Sequence, residues 1–373
     1  MTNWLFIDLS VFLCVVAITG IIIPQILLIA FRKQLFDTPD PRKIHKAEIP
    51  RLGGIAFFPA ILFALFLVFG GGMLSEESSI MSYIYNNIRS VSFMMCGTIV
   101  MWLVGMADDL VGVRYRAKFI MQALAAALLI LGGIELTDLH GFLGIGELPT
   151  AVSVILTALI SVFIINALNL IDGIDGLASG LSGVACAFYT YMFFHAGLYL
   201  FSAIAVATLG VLVPFFVYNV FGDAEKQRKI FMGDTGALTI GLLLSAMSLR
   251  ICQLDTLPEG CNPAAVAFAP LLIPCFDVVR VYLHRIRIGH NPFLPDKNHI
   301  HHKFLALGMS QRSAMMVIIA ASTALVLANY WLSAYINITL LLACDIAVWL
   351  AANMAINRAK RARERKLAIK ISE

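Results

Sequence analysis

Long apolar runs alternate with short polar loops along the whole chain. Eleven of these runs reach or approach the about 17–25 residues that a helix needs to cross a bilayer. They lie at roughly 4–31, 52–70, 89–107, 119–133, 150–168, 177–194, 199–219, 236–251, 264–283, 313–331 and 335–351. Spans six and seven are separated only by the turn at 195–198, and spans ten and eleven by the turn near 330–335. The run from Trp4 to Phe31 has no basic leader and no small-residue cleavage site, so it reads as a retained first span. The pattern predicts an all-α, polytopic membrane protein: one membrane domain over residues 1–352, followed by a basic tail over 353–373.

Charge orients these spans. Lys and Arg number six in loop 32–51, three in 108–118, three in 220–235, six in 280–312 and seven in the tail from Arg358. Only Arg89 and Arg250 of the 27 basic residues lie elsewhere, at span ends. The alternate loops carry Glu76, Glu77, Glu135, Asp138, Glu147, Asp255 and Glu259 instead. The positive-inside rule then puts the N-terminus outside and the C-terminus in the cytoplasm. The tail is a topology anchor beside anionic lipid rather than a nucleic-acid contact.

Composition agrees. The chain is 60% hydrophobic and only 13% charged, against about 25% charged in a soluble domain. Its seven cysteines show no CxxC spacing. Cys252 and Cys261 share one extracytoplasmic loop, where a disulfide and two free thiols are both open readings.

The candidate chemistry sits at the cytoplasmic span ends. Asn166-Ala-Leu-Asn-Leu-Ile-Asp-Gly-Ile-Asp-Gly176 places two amides and two carboxylates between apolar runs and reads as a loop or helix end. Asp108-Asp109 ends span three and is followed by Arg114, Arg116 and Lys118. Phe231-Met-Gly-Asp234 precedes span eight. Ionisable groups this close to lipid point to function, and hard oxygen donors suit a divalent cation shared with phosphates. Each motif also has a plainer reading. Asp108-Asp109 suits a solvated helix end, 166–176 a capped turn, and Asp234 the N-cap of span eight. Phe231 suits a stacking platform for a planar base. His299, His301 and His302 follow a Pro-rich basic stretch from His290, and their spacing does not suit zinc. With Lys297, Arg285 and Arg287 they suit an anion site. Asp277 and Arg280 are spaced to pair one turn apart. Loop 42–54 adds cations and Gly53-Gly54. No Walker or GxGxxG loop occurs, so ATP or dinucleotide chemistry is not indicated.

In order, Lys43-x-His45-Lys46, Pro50-Arg-x-Gly-Gly54, Asp108-Asp109, Asn166 to Ala178, Phe231-Met-Gly-Asp234 and Pro292-Phe-x-Pro-Asp…His299-Ile-His-His302 resemble the polyprenyl-phosphate N-acetylhexosamine-1-phosphate transferase family. The His-Ile-His-His form is similar to the WecA/TagO branch. The MraY branch, which takes UDP-MurNAc-pentapeptide, usually has three consecutive histidines and Pro-Thr-Met-Gly-Gly, and this chain departs at both places. Ala237 stands where the family usually has Ser.

The resemblance implies transfer of N-acetylglucosamine-1-phosphate from UDP-N-acetylglucosamine to undecaprenyl phosphate, releasing UMP, at the cytoplasmic face of a bacterial inner membrane. It implies magnesium, with manganese as a substitute, held by Asn169 and Asp234. Phe231, Asp175 and Asn166 would line the uridine site. Lys46, Lys118, Arg285, His299 and His302 would bind phosphate. Asp108 would be the base or lipid-phosphate positioner, with Asp109, Asp172 and His301 as further catalytic candidates. Direct attack by the lipid phosphate and a covalent aspartyl-phosphate are both open, with direct attack favoured. A homodimer follows by analogy alone. The rival readings are another UDP-N-acetylhexosamine donor, the pentapeptide donor, or transport. Transport is disfavoured because the ionisable groups gather at span ends rather than mid-membrane, and no internal repeat is visible.

Overall fold

The computed structural model describes residues 2–35, 49–73, 78–254, 257, 260–289 and 298–372. Lys46 and the Pro292–Lys297 stretch lie outside these residues, so the expectations placed on them do too. The described chain is helical: α1 (Thr2–Lys33), α2 (Phe57–Met73), α3 (Ser78–Val111), α4 (Tyr115–Leu131), α5 (Thr150–Ile171), α6 (Leu177–His195), α7 (Tyr199–Val220), α8 (Gly233–Cys252), α9 (Pro263–Phe268), α10 (Leu272–Arg287), α11 (Ile300–Ala306), α12 (Gln311–Leu332) and α13 (Ile338–Ser372). Two short antiparallel strands, β1 (Asp138–Phe142) and β2 (Ile145–Glu147), form a hairpin between α4 and α5 that periodicity did not predict.

Ten spans among the described residues are long and apolar enough to cross a membrane, with α9 and α10 together making one of them. The predicted fourth span is α4, which has only 17 residues, roughly 26 Å at 1.5 Å per residue. Connectivity shows that it crosses as well. Lys118, in its first turn, meets Asp234 at 2.6 Å, and Asn169, in the last turn of α5, meets the same carboxylate at 3.0 Å. α5 crosses, so α4 must run the opposite way for both ends to meet.

Several boundaries move for identifiable reasons. α3 continues through Asp108 and Asp109 and stops at Gly112, whose φ is 73° and whose N–H donates to Asp108 O at 2.9 Å. This is a glycine C-cap. α5 likewise runs through Asn166 and Asn169, so both amides are helical, not in a loop. Span nine is broken by a 3-10 turn at Ala269–Leu271, where Pro270 withholds a backbone donor. Span eleven continues without a break into the basic tail, so the tail's described part is helix.

α8 is the central helix, with 94% of its most apolar window buried. It packs against α3 and α5. In lipid such contacts depend on close packing of small residues rather than on the hydrophobic effect. A Cβ on Gly105 would lie 2.4 Å from Thr235 Cα, and one on Gly241 2.8 Å from Ile165 Cα. The two basic residues outside the basic loops and tail are also engaged. Arg89 donates to Leu131 O at 3.0 and 2.8 Å, satisfying the end of α4, and Arg250 lies over the Phe201 ring at 5.4 Å. Cys252 and Cys261 are free buried thiols.

Candidate active site

Five separated stretches meet at one end of the bundle. The Pro50–Gly54 loop pairs its backbone with 231–232: Phe231 N donates to Pro50 O, Gly53 N to Phe231 O and Gly54 N to Met232 O, each at 2.9 Å. Contact this close excludes side chains. A Cβ on Gly54 would lie 2.0 Å from Gly236 N, and one on Gly233 (φ 70°) 2.2 Å from Arg51 O. The Gly-Gly pair is therefore a packing surface against the start of α8.

Asp109 fixes that start. Its Oδ1 accepts from Asp234 N at 2.8 Å, and its Oδ2 accepts from Thr235 N at 2.8 Å and Thr235 Oγ1 at 2.6 Å. The first N–H groups of a helix lack intrahelical partners, and here a carboxylate from α3 satisfies them. The expected N-cap role of Asp234 thus belongs to Asp109. Both Asp109 oxygens are thus engaged at the start of α8, and the Asp234 side chain is not needed for the cap.

Asp234 is the hub. Lys118 Nζ lies 2.6 Å from its Oδ2 and 3.0 Å from Asp108 Oδ2. Asn169 Nδ2 donates to its Oδ1 at 3.0 Å. Asp108 also accepts from Val113 N at 2.7 Å. Among the described residues no group of three or more His, Cys, Asp or Glu side chains could by itself hold a metal. That does not suit zinc. Asp234 with the Asn169 side-chain oxygen suits magnesium, which takes one or two carboxylates and completes its shell with phosphate and water oxygens.

The turn after α5 carries Asp172 and Asp175. Asp172 is reached by solvent yet densely crowded by protein, and that crowding pushes its carboxyl up to about 7. Arg51 opposes the shift, and Asp234, Asp175 and Asp109 reinforce it. Asp175 pairs with Lys229 at 2.6 Å, both side chains being largely buried. Asn219 bolts the turn to the 228–232 segment: its Oδ1 accepts from Gly176 N at 2.6 Å and its Nδ2 donates to Ile230 O at 2.8 Å. Asn166 is tied to Gln122 on α4 at 2.7 Å, one turn before Asn169.

The histidine segment reaches the same turn. A Cβ on Gly173 would lie 2.2 Å from His301 Nε2, so the imidazole sits directly on that glycine. His301 is buried, and neither of its ring nitrogens has a hydrogen-bond partner among the described residues. Burial, helped by His302 and His299, pushes it down to about 3, so it is neutral at physiological pH. His299 pairs with Asp277 at 2.9 Å, and Asp277 also accepts from Ile300 N at 3.0 Å and Arg280 at 2.7 Å. The Asp277–Arg280 pairing is the one the spacing predicted. Arg285 stands two turns beyond Asp277 on the same buried face of α10. Lys229, Asn219, Gln122 and Thr235 were missed by sequence reasoning. Asn219 did carry a signal, a lone amide at the end of an apolar run, whereas Lys229 was indistinguishable from the other loop cations.

A family model described as glycosyl transferase family 4 matches residues 91–252, from α3 to the end of α8. Over 339 residues the chain is 31% identical to a probable undecaprenyl-phosphate N-acetylglucosaminyl 1-phosphate transferase of Bacillus subtilis (strain 168), covering 87% of each protein. The chain belongs to glycosyl transferase family 4. The family match holds Asp108, Asp109, Lys118, the 166–176 stretch and Asp234. Two further relatives are the decaprenyl-phosphate N-acetylglucosaminephosphotransferase of Mycobacterium tuberculosis (strain ATCC 25618 / H37Rv), at 31% identity over 75% of this chain and 71% of the relative, and the undecaprenyl-phosphate alpha-N-acetylglucosaminyl 1-phosphate transferase of Escherichia coli (strain K12), at 30% over 81% and 78%. All three are named for N-acetylglucosamine phosphate transfer, as expected of the WecA/TagO rather than the pentapeptide branch.

Proposed function

We propose that the chain transfers N-acetylglucosamine-1-phosphate from UDP-N-acetylglucosamine to undecaprenyl phosphate, releasing UMP and leaving undecaprenyl-diphosphate-N-acetylglucosamine in the bilayer. The relatives' activities support the substrates. The observation that carries the reading is the Asp108–Lys118–Asp234–Asn169 constellation at a membrane-helix boundary. Phosphoryl transfer asks the protein mainly for positioning and charge neutralisation, and this set offers both. In our reading the site faces the cytoplasm of a bacterial inner membrane, because the basic loops share its end of the bundle.

An oxygen of the lipid phosphate attacks the β-phosphorus of the donor. A P–O bond forms there as the bond to the bridging oxygen breaks, and the electron pair leaves with UMP. A phosphate monoester is already largely dianionic near pH 7, its second pKa being about 6, so no base is obligatory. Both Asp108 oxygens accept hydrogen bonds, which supports direct attack over a covalent aspartyl-phosphate. In this reading Asp108 positions Lys118 for the incoming phosphates. Asp234 and Asn169 would hold magnesium, which when bound supplies charge neutralisation on the diphosphate. Asp175, set by Lys229, and Phe231 line the nucleoside side.

The test uses purified protein in detergent with magnesium, undecaprenyl phosphate and UDP-N-acetylglucosamine, reading UMP and lipid-linked product together. UDP-N-acetylgalactosamine and UDP-MurNAc-pentapeptide run in parallel. UMP dependent on lipid and magnesium with the first donor alone is the expected result. Turnover with the pentapeptide alone moves the chain to that branch, and no UMP from any donor by folded protein overturns the enzymatic reading.

A further inference from the structure

A groove of about 720 Å³ lies between α10, α11 and the extended α13. Both long helices change character along it in the same direction. On α10 the lining passes from Phe276 and Val279 to His284 and Arg287, and on α13 from Ile346 and Leu350 to Asn357 and Lys360. One end is therefore an apolar wall, with Leu283, Ile346, Leu350 and Met354 exposed along it. The other end is cationic, with Arg280, His284, Arg287, Lys303 and Lys360. Acyl chains and an anionic head group need this gradient, which a free phosphate does not.

The cations are under-compensated. Among the described residues no Asp or Glu lines the groove. Asp277 reaches Arg280 from the buried side, and the Lys360–Glu364 pair is long, at 3.8 Å, and exposed. Burial and the neighbouring Arg280 and Lys360 push the Lys303 ammonium down to about 8. Arg280 Nε and Trp349 Nε1 are buried donors with no partner among the described residues. Buried donors are seldom left unsatisfied. Basic pockets between membrane helices recognise anionic lipid head groups.

None of Asp108, Lys118, Asn169, Asp172 or Asp234 lines the groove, whereas His302, one of the expected phosphate-binding histidines, does. Among the described residues the groove adjoins the proposed reaction centre through α11. Lys303 donates to Asn353 Oδ1 at 2.8 Å and Arg363 to Ala306 O at 3.1 Å. α13 thus clamps the short helix that seats His301 on Gly173.

We propose that this groove holds one anionic glycerophospholipid, its phosphate among Arg287, Lys303 and Lys360 and its acyl chains along Leu283, Leu350 and Met354. The bound lipid completes the clamp on α11 and thereby holds His301 in place.

The experiment uses the full-length protein and the double variant R287Q/K360Q. Native mass spectrometry from detergent, with phosphatidylglycerol and phosphatidylcholine as probes, reads binding. Hydrogen exchange of α11 reads the clamp, in nanodiscs of phosphatidylcholine with and without phosphatidylglycerol. The wild type should bind phosphatidylglycerol selectively and gain protection in α11. The double variant should bind it about thirtyfold more weakly, the equivalent of ~2 kcal/mol at ~1.4 kcal/mol per decade. Phosphatidylglycerol should raise UMP release in the wild type and leave the double variant at its own phosphatidylcholine rate. Equal phosphatidylglycerol binding by both proteins overturns the proposal. So does a raised KM for undecaprenyl phosphate with an unchanged phosphatidylglycerol response, which would make the groove the acceptor's path. If the double variant fails to fold, W349F, which removes one unpartnered donor and keeps the ring, supplies the same binding comparison. The binding and exchange readouts stand even if the chain proves to have a different activity.

Discussion

Asp109→Asn separates a positioning role from a chemical one. The Asp109 carboxylate receives three donors from the first turn of α8, two backbone N–H groups at 2.8 Å and the Thr235 hydroxyl at 2.6 Å. Asparagine offers one oxygen and one NH2, so whichever way it turns, at least one donor faces another donor. An unsatisfied buried N–H costs about 1–3 kcal/mol, and loss of a negative charge at a helix N-terminus costs about 0.3–1 kcal/mol more. Asp109→Asn should therefore destabilise the protein by about 2 kcal/mol in chemical denaturation in detergent. Turnover should fall as well, because Asp234 hangs from the same anchor. Asp108→Asn, which leaves the cap intact, should lose turnover with a smaller loss of stability. Thr235→Val removes one of the three donors, so its effect should be less than additive with Asp109→Asn in a double-mutant cycle. If Asp109→Asn abolished UMP release with stability unchanged and no coupling to Thr235, Asp109 would act on substrate directly and the capping argument would be wrong.

Other substitutions probe the remaining contacts. Gly173→Ala would put a methyl carbon 2.2 Å from His301 Nε2, displacing the imidazole by about 1 Å. A shift of that size can cost on the order of a hundredfold in rate, so kcat should fall that far while the denaturation midpoint barely moves. Gly54→Ala meets backbone instead, at 2.0 Å from Gly236 N, so it should reduce the yield of folded protein. Lys229→Met removes the cation paired with the largely buried Asp175 carboxylate and should cost about 1–3 kcal/mol, with a raised KM for the nucleotide donor. The pH response has two opposed parts. Asp172 holds its proton up to about 7 against an ordinary 3.8, so its contribution favours the folded state at low pH and is lost as pH rises through 7. Asp172→Asn should flatten that loss. His301, pushed down to about 3 from 6.5, contributes stability that is present above 6.5 and lost as pH falls towards 3. His301→Gln should flatten acid denaturation in that range.

The spans and the motif ends were legible because lipid imposes a coarse code: apolar length, loop charge, and few polar residues inside. The code cannot show where a helix stops when nothing punctuates it. Asp108 and Asp109 look like a loop from hydropathy alone, but Gly112 is the first residue that ends α3. Nor does it tell two adjacent carboxylates apart. Asp108 faces Lys118 and Asp109 faces the start of α8 because successive helical residues point about 100° apart, and only the packing of α3 against α8 decides which side is which.

The same limit explains the histidines. In sequence, His299, His301 and His302 read as one basic cluster. In the fold, His299 is bound to Asp277 and His301 is driven neutral on Gly173. A cluster of like groups is therefore not one site of summed charge. Burial and one carboxylate from α10 have set apart an anchor, His299, and a neutral imidazole, His301, seated on Gly173. That division makes the histidine segment's place in the fold depend on α10 and α13, the two helices that also line the lipid groove. Reaction geometry at 108–234 and membrane composition at 276–360 thus meet in one seven-residue helix, α11, and a change in either should be felt at His301 first.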